Sequence, residues 1–301
     1  MALACAVLLL AACSEAGGSS RASSRRITSG IGAPGRRTIV FTPPGARKVL
    51  GDLRVPPLRH RTAVVLVHGG GGFRGDRSEV HAWQDVYVKA GYVSLATDYF
   101  IFNDDTPAPV YPQPESDVKA AVQYLRRHAN DLGIDPERIV VQGFSSGARI
   151  GAQLLVGPDD PALAGPTRWP SPTDRIAGLI GFYGYYDGYQ FQSDRYYGGR
   201  ANSRDPAVRS RWRSADSDAR AATATGPVLL FHGTADPLPM SQSANFADAL
   251  RAAGDDVELV LVDGASHGFD IKYGKLTPQG LLSSRRVISW LERHFADHEQ
   301  T

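Results

Sequence analysis

The sequence predicts an α/β protein: a mostly parallel central sheet flanked by helices, with a small cap insertion near 183–225. Two observations carry that class. Short apolar runs without polar interruption, such as 63–67, recur along the chain, and a strand covered on both faces has this pattern. Between them lie segments with apolar residues at helical spacing, and strands alternating with helices build a parallel sheet. Neither an internal repeat nor a second set of such elements occurs, so residues 37–301 are expected to form one domain.

Taken in order, strands are expected near 38–41 and 47–54, and the run at 63–67 ends in glycines, as a central parallel strand does. A helix near 78–90 places Val80, Trp83, Tyr87 and Ala90 on one face, and Gly91 closes it. A strand at 92–97 follows. Beyond a proline-rich loop at 106–114, a helix starting near Glu115 sets Val118, Ala121, Val122 and Leu125 at i, i+3, i+4 and i+7. "RIVVQGF" reads as a strand and 146–156 as a helix. Strands at 176–182, 228–232 and 257–262 are separated by helices at 205–222 and 241–253. A last helix near 279–296 turns Val287, Ile288, Leu291 and Phe295 inward. In open sheets of this kind ligands sit beyond the carboxyl ends of the strands, which directs attention to the loops after 67, 143, 232 and 262.

Composition narrows the function. The 301 residues are 42% hydrophobic and 21% charged, an ordinary globular balance, and the net charge of +2 is close to neutral. Arginines are scattered without a basic-aromatic stripe or zinc-finger spacing, so no nucleic-acid partner is expected. Both cysteines lie in the first thirteen residues, which leaves the body without a disulfide or a cysteine metal site. Neither a metal nor a cofactor is implied.

The apolar run at 3–12 is too short to span a bilayer, which takes about 20 residues. It fits the core of a signal peptide occupying 1–12. Leu10-Ala11-Ala12-Cys13 resembles a bacterial lipobox, which implies cleavage before Cys13 and its lipidation. The expectation is an exported, membrane-anchored lipoprotein, otherwise a periplasmic or secreted protein. Residues 13–36, rich in Ser, Gly and Arg, read as a flexible tether.

The chemistry centres on "VVQGFSSGARIG". A Gly-x-Ser-x-Gly between a strand and a helix suits a serine on a sharp turn, because Gly143 and Gly147 allow close backbone approach. Ser145 would then project its hydroxyl and Ser146 would supply a backbone N–H. The plainer alternative is a Gly/Ser turn capping a helix. A serine nucleophile needs a base. Of eight histidines, His267 in "VDGASHGFD" follows the last strand at the correct sheet end. His294 and His298 close a terminal helix, His60, His81 and His128 read as surface residues, and His68 and His232 as structural ones. The base needs a carboxylate to fix its tautomer. Asp236, in "LLFHGTADPLPM", occupies the matching loop, although it also fits a turn. Asp263 and Asp270 flank His267 too closely to orient it, and Glu258 lies within a strand. "VLVHGGGGFRGD" has no following Lys-Ser/Thr and no G-x-G-x-x-G, so phosphate or dinucleotide binding is not indicated. Its glycines can instead offer amides to an oxyanion: Gly70 and Gly71, with Ser146 as third donor.

With these residues in place, the chain resembles the esterase/lipase branch of the serine α/β-hydrolases, the hormone-sensitive-lipase-like and acetyl-ester-hydrolase group, with features of dienelactone hydrolases and prolyl oligopeptidases. "HGGGGF", "GIDPERIVVQGFSSG", "HGTADPLP" and "ASHGF" occur in family order over roughly 60–296, and Ser145, Asp236, His267 is the α/β-hydrolase chain order. The resemblance implies an α/β-hydrolase fold and a serine carboxylic-ester hydrolase for small or short-chain esters, acting on a small-molecule ester through a Ser-His-Asp triad and an acyl-enzyme. A serine peptidase of prolyl-oligopeptidase type, and a catalytically silent surface binding protein with this fold, remain the alternatives. One departure is Ser146-Gly147-Ala148-Arg149, where relatives often carry Ala-Gly-Gly-His; Arg149 there would alter helix packing or the pocket rim. Phe73, Phe144, Tyr183, Tyr185 and Tyr186 are candidate pocket residues. The tyrosine-dense stretch 181–200 either walls the substrate site or packs a cap against the body.

Overall fold

The computed structural model describes residues 35–57, 59–188 and 194–296. Cys13, the expected signal segment 1–12 and all of the tether before Gly35 lie outside the described residues.

Ten strands are described: β1 (Arg37–Val40), β2 (Leu50–Arg54), β3 (Ala63–Val67), β4 (Val93–Thr97), β5 (Ile139–Phe144), β6 (Gly178–Phe182), β7 (Val228–Gly233), β8 (Val257–Val262), and a short hairpin, β9 (Ile271–Lys272) with β10 (Lys275–Leu276). The helices are α1 (His81–Lys89), α2 (Gln113–Arg127), α3 (Ala129–Leu132), α4 (Ser146–Val156), α5 (Asp194–Tyr197), α6 (Pro206–Ala215), α7 (Ser241–Ala253) and α8 (Pro278–Phe295). The first eight strands form one sheet in the order β1-β2-β4-β3-β5-β6-β7-β8. Pairing is antiparallel across β1-β2-β4 and parallel from β4 to β8.

The apolar runs explain why the sheet sits between two helical layers. Every residue of β3 is buried, and successive side chains enter different cores. Ala63, Val65 and Val67 join the cluster that includes Val118 and Leu125 of α2, Leu154 of α4 and Phe246 of α7. Val64 and Leu66 join the opposite cluster, which holds Trp83 and Tyr87 of α1 and Val287, Trp290 and Leu291 of α8. That alternation is the period of two of a pleated strand. Helix ends follow local rules. Asp205 and Thr277 cap α6 and α8 through side-chain acceptance from Ala207 and Gly280 amides, each with proline in the first helical position. The helix expected over 205–222 is shorter than its pattern suggested: α6 stops at Ala215, and a separate 3-10 turn covers Asp218–Thr223.

Parallel register sends the loops of interest out of one end. Val67 of β3 lies opposite Gly143 of β5, Phe144 opposite Phe182 of β6, and Gly233 of β7 opposite Val262 of β8. The cap region is a third, smaller cluster in which Tyr196, Tyr197, Val208 and Trp212 pack on Phe102, Val110, Tyr111 and Leu163. Among the described residues no helix is long and apolar enough to cross a membrane.

Candidate active site

Ser145 stands on the turn from β5 to α4 with φ 52° and ψ −115°, a conformation that costs an L-residue strain. Two glycines permit it. A Cβ on Gly143 would lie 2.2 Å from the Gly147 carbonyl oxygen, and one on Gly147 would lie 2.2 Å from that of Val67. No side chain fits either place, so the turn tucks against β3 only because both residues are glycine. The Ser145 amide donates to the Phe182 carbonyl at 2.9 Å, extending the β5-β6 ladder by one residue.

From this turn the hydroxyl meets His267: Ser145 Oγ is 3.0 Å from Nε2. The other ring nitrogen, Nδ1, faces Asp236, at 2.9 Å from Oδ2 and 3.1 Å from Oδ1. Asp236 Oδ1 also accepts from the Leu238 amide at 2.7 Å. The Asp236 side chain is fully buried whereas that of His267 is 36% exposed. The loops after β7 and β8 can touch because Gly233 lacks a side chain, whose Cβ would fall 2.1 Å from the Ala265 carbonyl oxygen. The Ala235 amide donates to that same oxygen at 3.0 Å. A hydroxyl, an imidazole and a carboxylate therefore lie in one continuous line of hydrogen bonds. Such a line can withdraw a proton from the hydroxyl and stabilise the imidazolium that results.

The two other histidines on these loops are buried. His232 is held between Ser243 Oγ at 2.8 Å and the Leu238 carbonyl at 2.9 Å, and His68 Nδ1 reaches the Gly69 carbonyl at 2.7 Å. Burial pushes both imidazoles down, toward the neutral form. His81, read from the sequence as a surface residue, is instead half-buried and bonds Asp52 at 2.8 Å.

Ser145 and His267 line a cleft of about 710 Å³ with Gly69, Gly70, Gly71, Phe73 and Phe144 among its walls. Tyr183 is in the wall as well, its ring 4.7 Å from that of His267. Tyr185 and Tyr186 do not line it. Tyr186 is buried and stacks on Phe246 at 4.5 Å, and Tyr185 sits 5.9 Å from the Arg149 guanidinium. Tyr196 and Tyr197 belong to the cap cluster and Tyr186 to the main core, so of the five described tyrosines of 181–200 only Tyr183 walls the cleft. Arg149 is not at the rim either: it is buried in a pair with Glu115 at 2.8 Å. Arg74, Glu79, Ile271 and Gly274, which the sequence did not single out, complete the walls with Val80, which it placed only on a helix face.

Asp270 also lines the cleft, and its described side-chain hydrogen bonds run to Tyr183 and Trp83 rather than to His267. Its Oδ1 accepts from Tyr183 Oη at 2.5 Å and its Oδ2 from Trp83 Nε1 at 2.7 Å. Burial pushes this carboxyl up, and the two hydrogen bonds oppose the shift. Burial likewise raises the Tyr183 hydroxyl, with the Asp270 charge acting in the same direction, so it stays protonated and donates. The Glu79 carboxyl is raised by burial, then by Asp76.

The glycine turn after β3 brings Gly70 and Gly71 to the same cleft as Ser145. The Gly71 amide, expected to be an oxyanion donor, donates instead to Ser146 Oγ at 3.0 Å. Ser146, expected to contribute its backbone alone, therefore also uses its hydroxyl. Its amide lies in the first turn of α4, ahead of the first amides bonded to Ser145 O, those of Ala148 and Arg149.

The sequence profile of the BD-FAE family matches residues 52–250. The chain belongs to the BD-FAE family. The matched span holds Ser145 and Asp236 and ends before His267. The BD-FAE chain is similar to two esterases of Mycobacterium tuberculosis: LipC, at 27% identity over 73% of this chain, and LipQ, at 28% over 76%. It is also 26% identical to the isoprenylcysteine alpha-carbonyl methylesterase ICME of Arabidopsis thaliana over 77% of this chain. It spans 56% of the length of each of these three relatives. Among solved structures, esterase 2 of Thermogutta terrifontis in its apo form superposes with a TM-score of 0.73 at 23% identity, covering 88% of this chain and 97% of that one. The BD-FAE chain thus has the α/β-hydrolase fold.

Proposed function

We propose that the protein is a carboxylic-ester hydrolase that works through an acyl-enzyme on Ser145. One observation carries the reading: Ser145 Oγ is 3.0 Å from His267 Nε2 while His267 Nδ1 is 2.9 Å from a buried Asp236 carboxylate. Ser145 Oγ attacks the ester carbonyl carbon as its proton passes to Nε2, and Asp236 holds the imidazolium through the Nδ1 proton. The carbonyl oxygen becomes an oxyanion facing the amides of Gly70 and Ser146. Collapse breaks the bond to the alcohol oxygen, which takes the proton from Nε2. Water then attacks the acyl carbon, giving a proton to Nε2, and the acid leaves as Ser145 recovers it.

The named esterases among the relatives support the bond type. Small or short-chain esters fit a cleft of about 710 Å³ walled by Phe73, Val80, Phe144 and Ile271. Structures of Thermogutta terrifontis esterase 2 bound to propionate and to butyrate show that relative in fold with short acids, in keeping with that size. For location, the lipobox-like Leu10-Ala11-Ala12-Cys13 supports export and lipid anchoring at Cys13. The test is Ser145→Ala: hydrolysis of p-nitrophenyl acetate should vanish with the circular dichroism spectrum unchanged, and a fluorophosphonate probe should label wild type alone. Near-full activity in that variant sinks the assignment. A series of nitrophenyl esters should show rates falling beyond short acyl chains.

A further inference from the structure

Four consecutive glycines form the turn that faces Ser145, and three have positive φ: 104° at Gly70, 69° at Gly71 and 87° at Gly72. Glycine loses more backbone freedom on folding than any other residue, so such a turn holds one shape only if other groups fix it. The fixing bonds are visible. Phe73 N donates to Gly70 O at 3.1 Å and Phe102 N to Gly72 O at 2.9 Å. His68 Nδ1 reaches Gly69 O at 2.7 Å. The remaining ties come from two buried hydroxyls. Gly71 N donates to Ser146 Oγ at 3.0 Å, Ser146 Oγ lies 3.3 Å from Tyr99 Oη, and Tyr99 Oη lies 3.0 Å from Gly69 O.

Proton counting gives this set one direction. Gly69 O can only accept and Gly71 N can only donate. Tyr99, whose Oη also lies 3.2 Å from the His68 carbonyl, therefore gives its proton to this pair of carbonyls, Ser146 gives its own to Tyr99 Oη, and Gly71 gives its amide proton to Ser146 Oγ. The chain begins and ends on the glycine turn and passes through the first residue of α4. Ser146 is 1% exposed and Tyr99 3% exposed, and bonds in such a medium polarise one another and gain strength together.

We propose that the Ser146 hydroxyl and Tyr99 are positioning residues that lock the Gly69–Gly72 turn to the nucleophile helix, so that Gly71 N–H serves the latch while Gly70 N–H and Ser146 N–H hold the oxyanion. This rests on the ester-hydrolase reading above. It gives the two adjacent serines separate duties, Ser145 at the substrate and Ser146 behind the amides. The latch acts when negative charge develops on the carbonyl oxygen, so its loss falls on kcat and on binding of oxyanion-forming inhibitors.

Ser146→Ala keeps the amide and removes the latch, and Tyr99→Phe removes the middle of the chain. Each should lower kcat for p-nitrophenyl acetate about 2- to 13-fold, the scale of one neutral hydrogen bond. That is far from the about 10²- to 10³-fold loss of an oxyanion donor itself. KM should stay within about twofold, and the double variant should resemble the weaker single rather than the product of the two. A merely structural role would lower the melting temperature without weakening a trifluoromethyl ketone, whose hemiketal places an oxyanion in the hole. Here its Ki should rise by the factor lost in kcat/KM. Wild-type kcat and Ki in both variants, or losses confined to the melting temperature, overturn the latch. A wild-type protein that neither hydrolyses the ester nor binds the ketone overturns the hydrolase reading and the latch with it.

Discussion

Arg149 offers a measurable test of how the cap is held to the body. Its guanidinium is buried beside Glu115, with side-chain exposures of 3% and 0%, and donates at 2.8 Å to Oε1. It also reaches Gln153 Oε1 at 3.1 Å and Tyr196 Oη at 3.0 Å, and lies 5.1 Å from the centre of the Tyr196 ring. Arg149→Met keeps much of the volume and removes the charge, leaving the Glu115 carboxylate buried with the Tyr196 hydroxyl, 2.8 Å away, as its remaining protein donor among the described contacts. Breaking a buried pair from one side typically costs about 3–5 kcal/mol, because the other charge stays uncompensated. At about 2–4 °C per kcal/mol for a domain of this size, the melting temperature should fall by roughly 6–20 °C. Replacing both partners, as Arg149→Met with Glu115→Leu, removes the stranded charge and should recover most of that loss. Urea unfolding of wild type, both single variants and the double variant gives the coupling directly. A single variant within 1 kcal/mol of wild type, or a double variant as damaged as the sum of the singles, would refute the reasoning.

Further predictions address the turn, the cleft wall and the response to pH. Gly147→Ala puts a methyl 2.2 Å from the Val67 carbonyl oxygen and should abolish soluble, active protein; a stable, active variant would show that the turn can shift. Tyr183→Phe withdraws one of two side-chain donors from buried Asp270 and should cost about 1–3 kcal/mol, read by urea unfolding. Asp218 is pushed up to about 7, first by burial and then by Asp216 and Asp187. A raised folded-state value means its stabilisation is complete below about 4 and lost as pH climbs through about 7. Asp218→Asn should therefore raise the melting temperature at pH 8 more than at pH 5, and equal shifts at the two pH values would contradict this.

Positions at strand ends were legible in the sequence because parallel register converts chain order into place. An apolar run ending in Gly143-Phe144-Ser145, another in His232-Gly233 and a third before Asp263 must empty into loops at one sheet end. Ser145, Asp236 and His267 could thus be brought together on paper. Side-chain partners from remote elements were not legible. A tyrosine that walls a cleft and one that packs a cap carry the same local signal. Tyr186 is buried by Phe246, sixty residues away, and Tyr185 lies over Arg149 of another element. Asp270 reads from the sequence only as a neighbour of His267, whereas its hydrogen-bond partners are Trp83 and Tyr183, far upstream. The Ser146 hydroxyl escaped notice because a Gly-x-Ser-x-Gly pattern assigns that residue an amide, and its partner lies 75 residues earlier.

Backbone strain marks the same place by an independent route. Three described non-glycine residues have positive φ: Ser145 at 52°, Tyr183 at 39° and Tyr273 at 52°. Tyr273 is 91% exposed in the hairpin turn, where solvent imposes no constraint. The other two are each the first residue past adjacent strands, β5 and β6, and each is pinned by a ladder bond to the next strand: Ser145 N to Phe182 O at 2.9 Å and Tyr183 N to Phe231 O at 2.7 Å. Strain of about 1–3 kcal/mol per residue persists only where surroundings over-determine it. Here the ladder, the two bare glycines beside Ser145 and the Asp270 anchor of the Tyr183 hydroxyl do so. The consequence is directional: Ser145, the proposed nucleophile, and the ring against His267 are fixed by the sheet itself. Adjustment on ligand binding then falls to wall residues outside that ladder and outside the fixed glycine turn, such as Phe73, Arg74, Glu79 and the 268–274 segment.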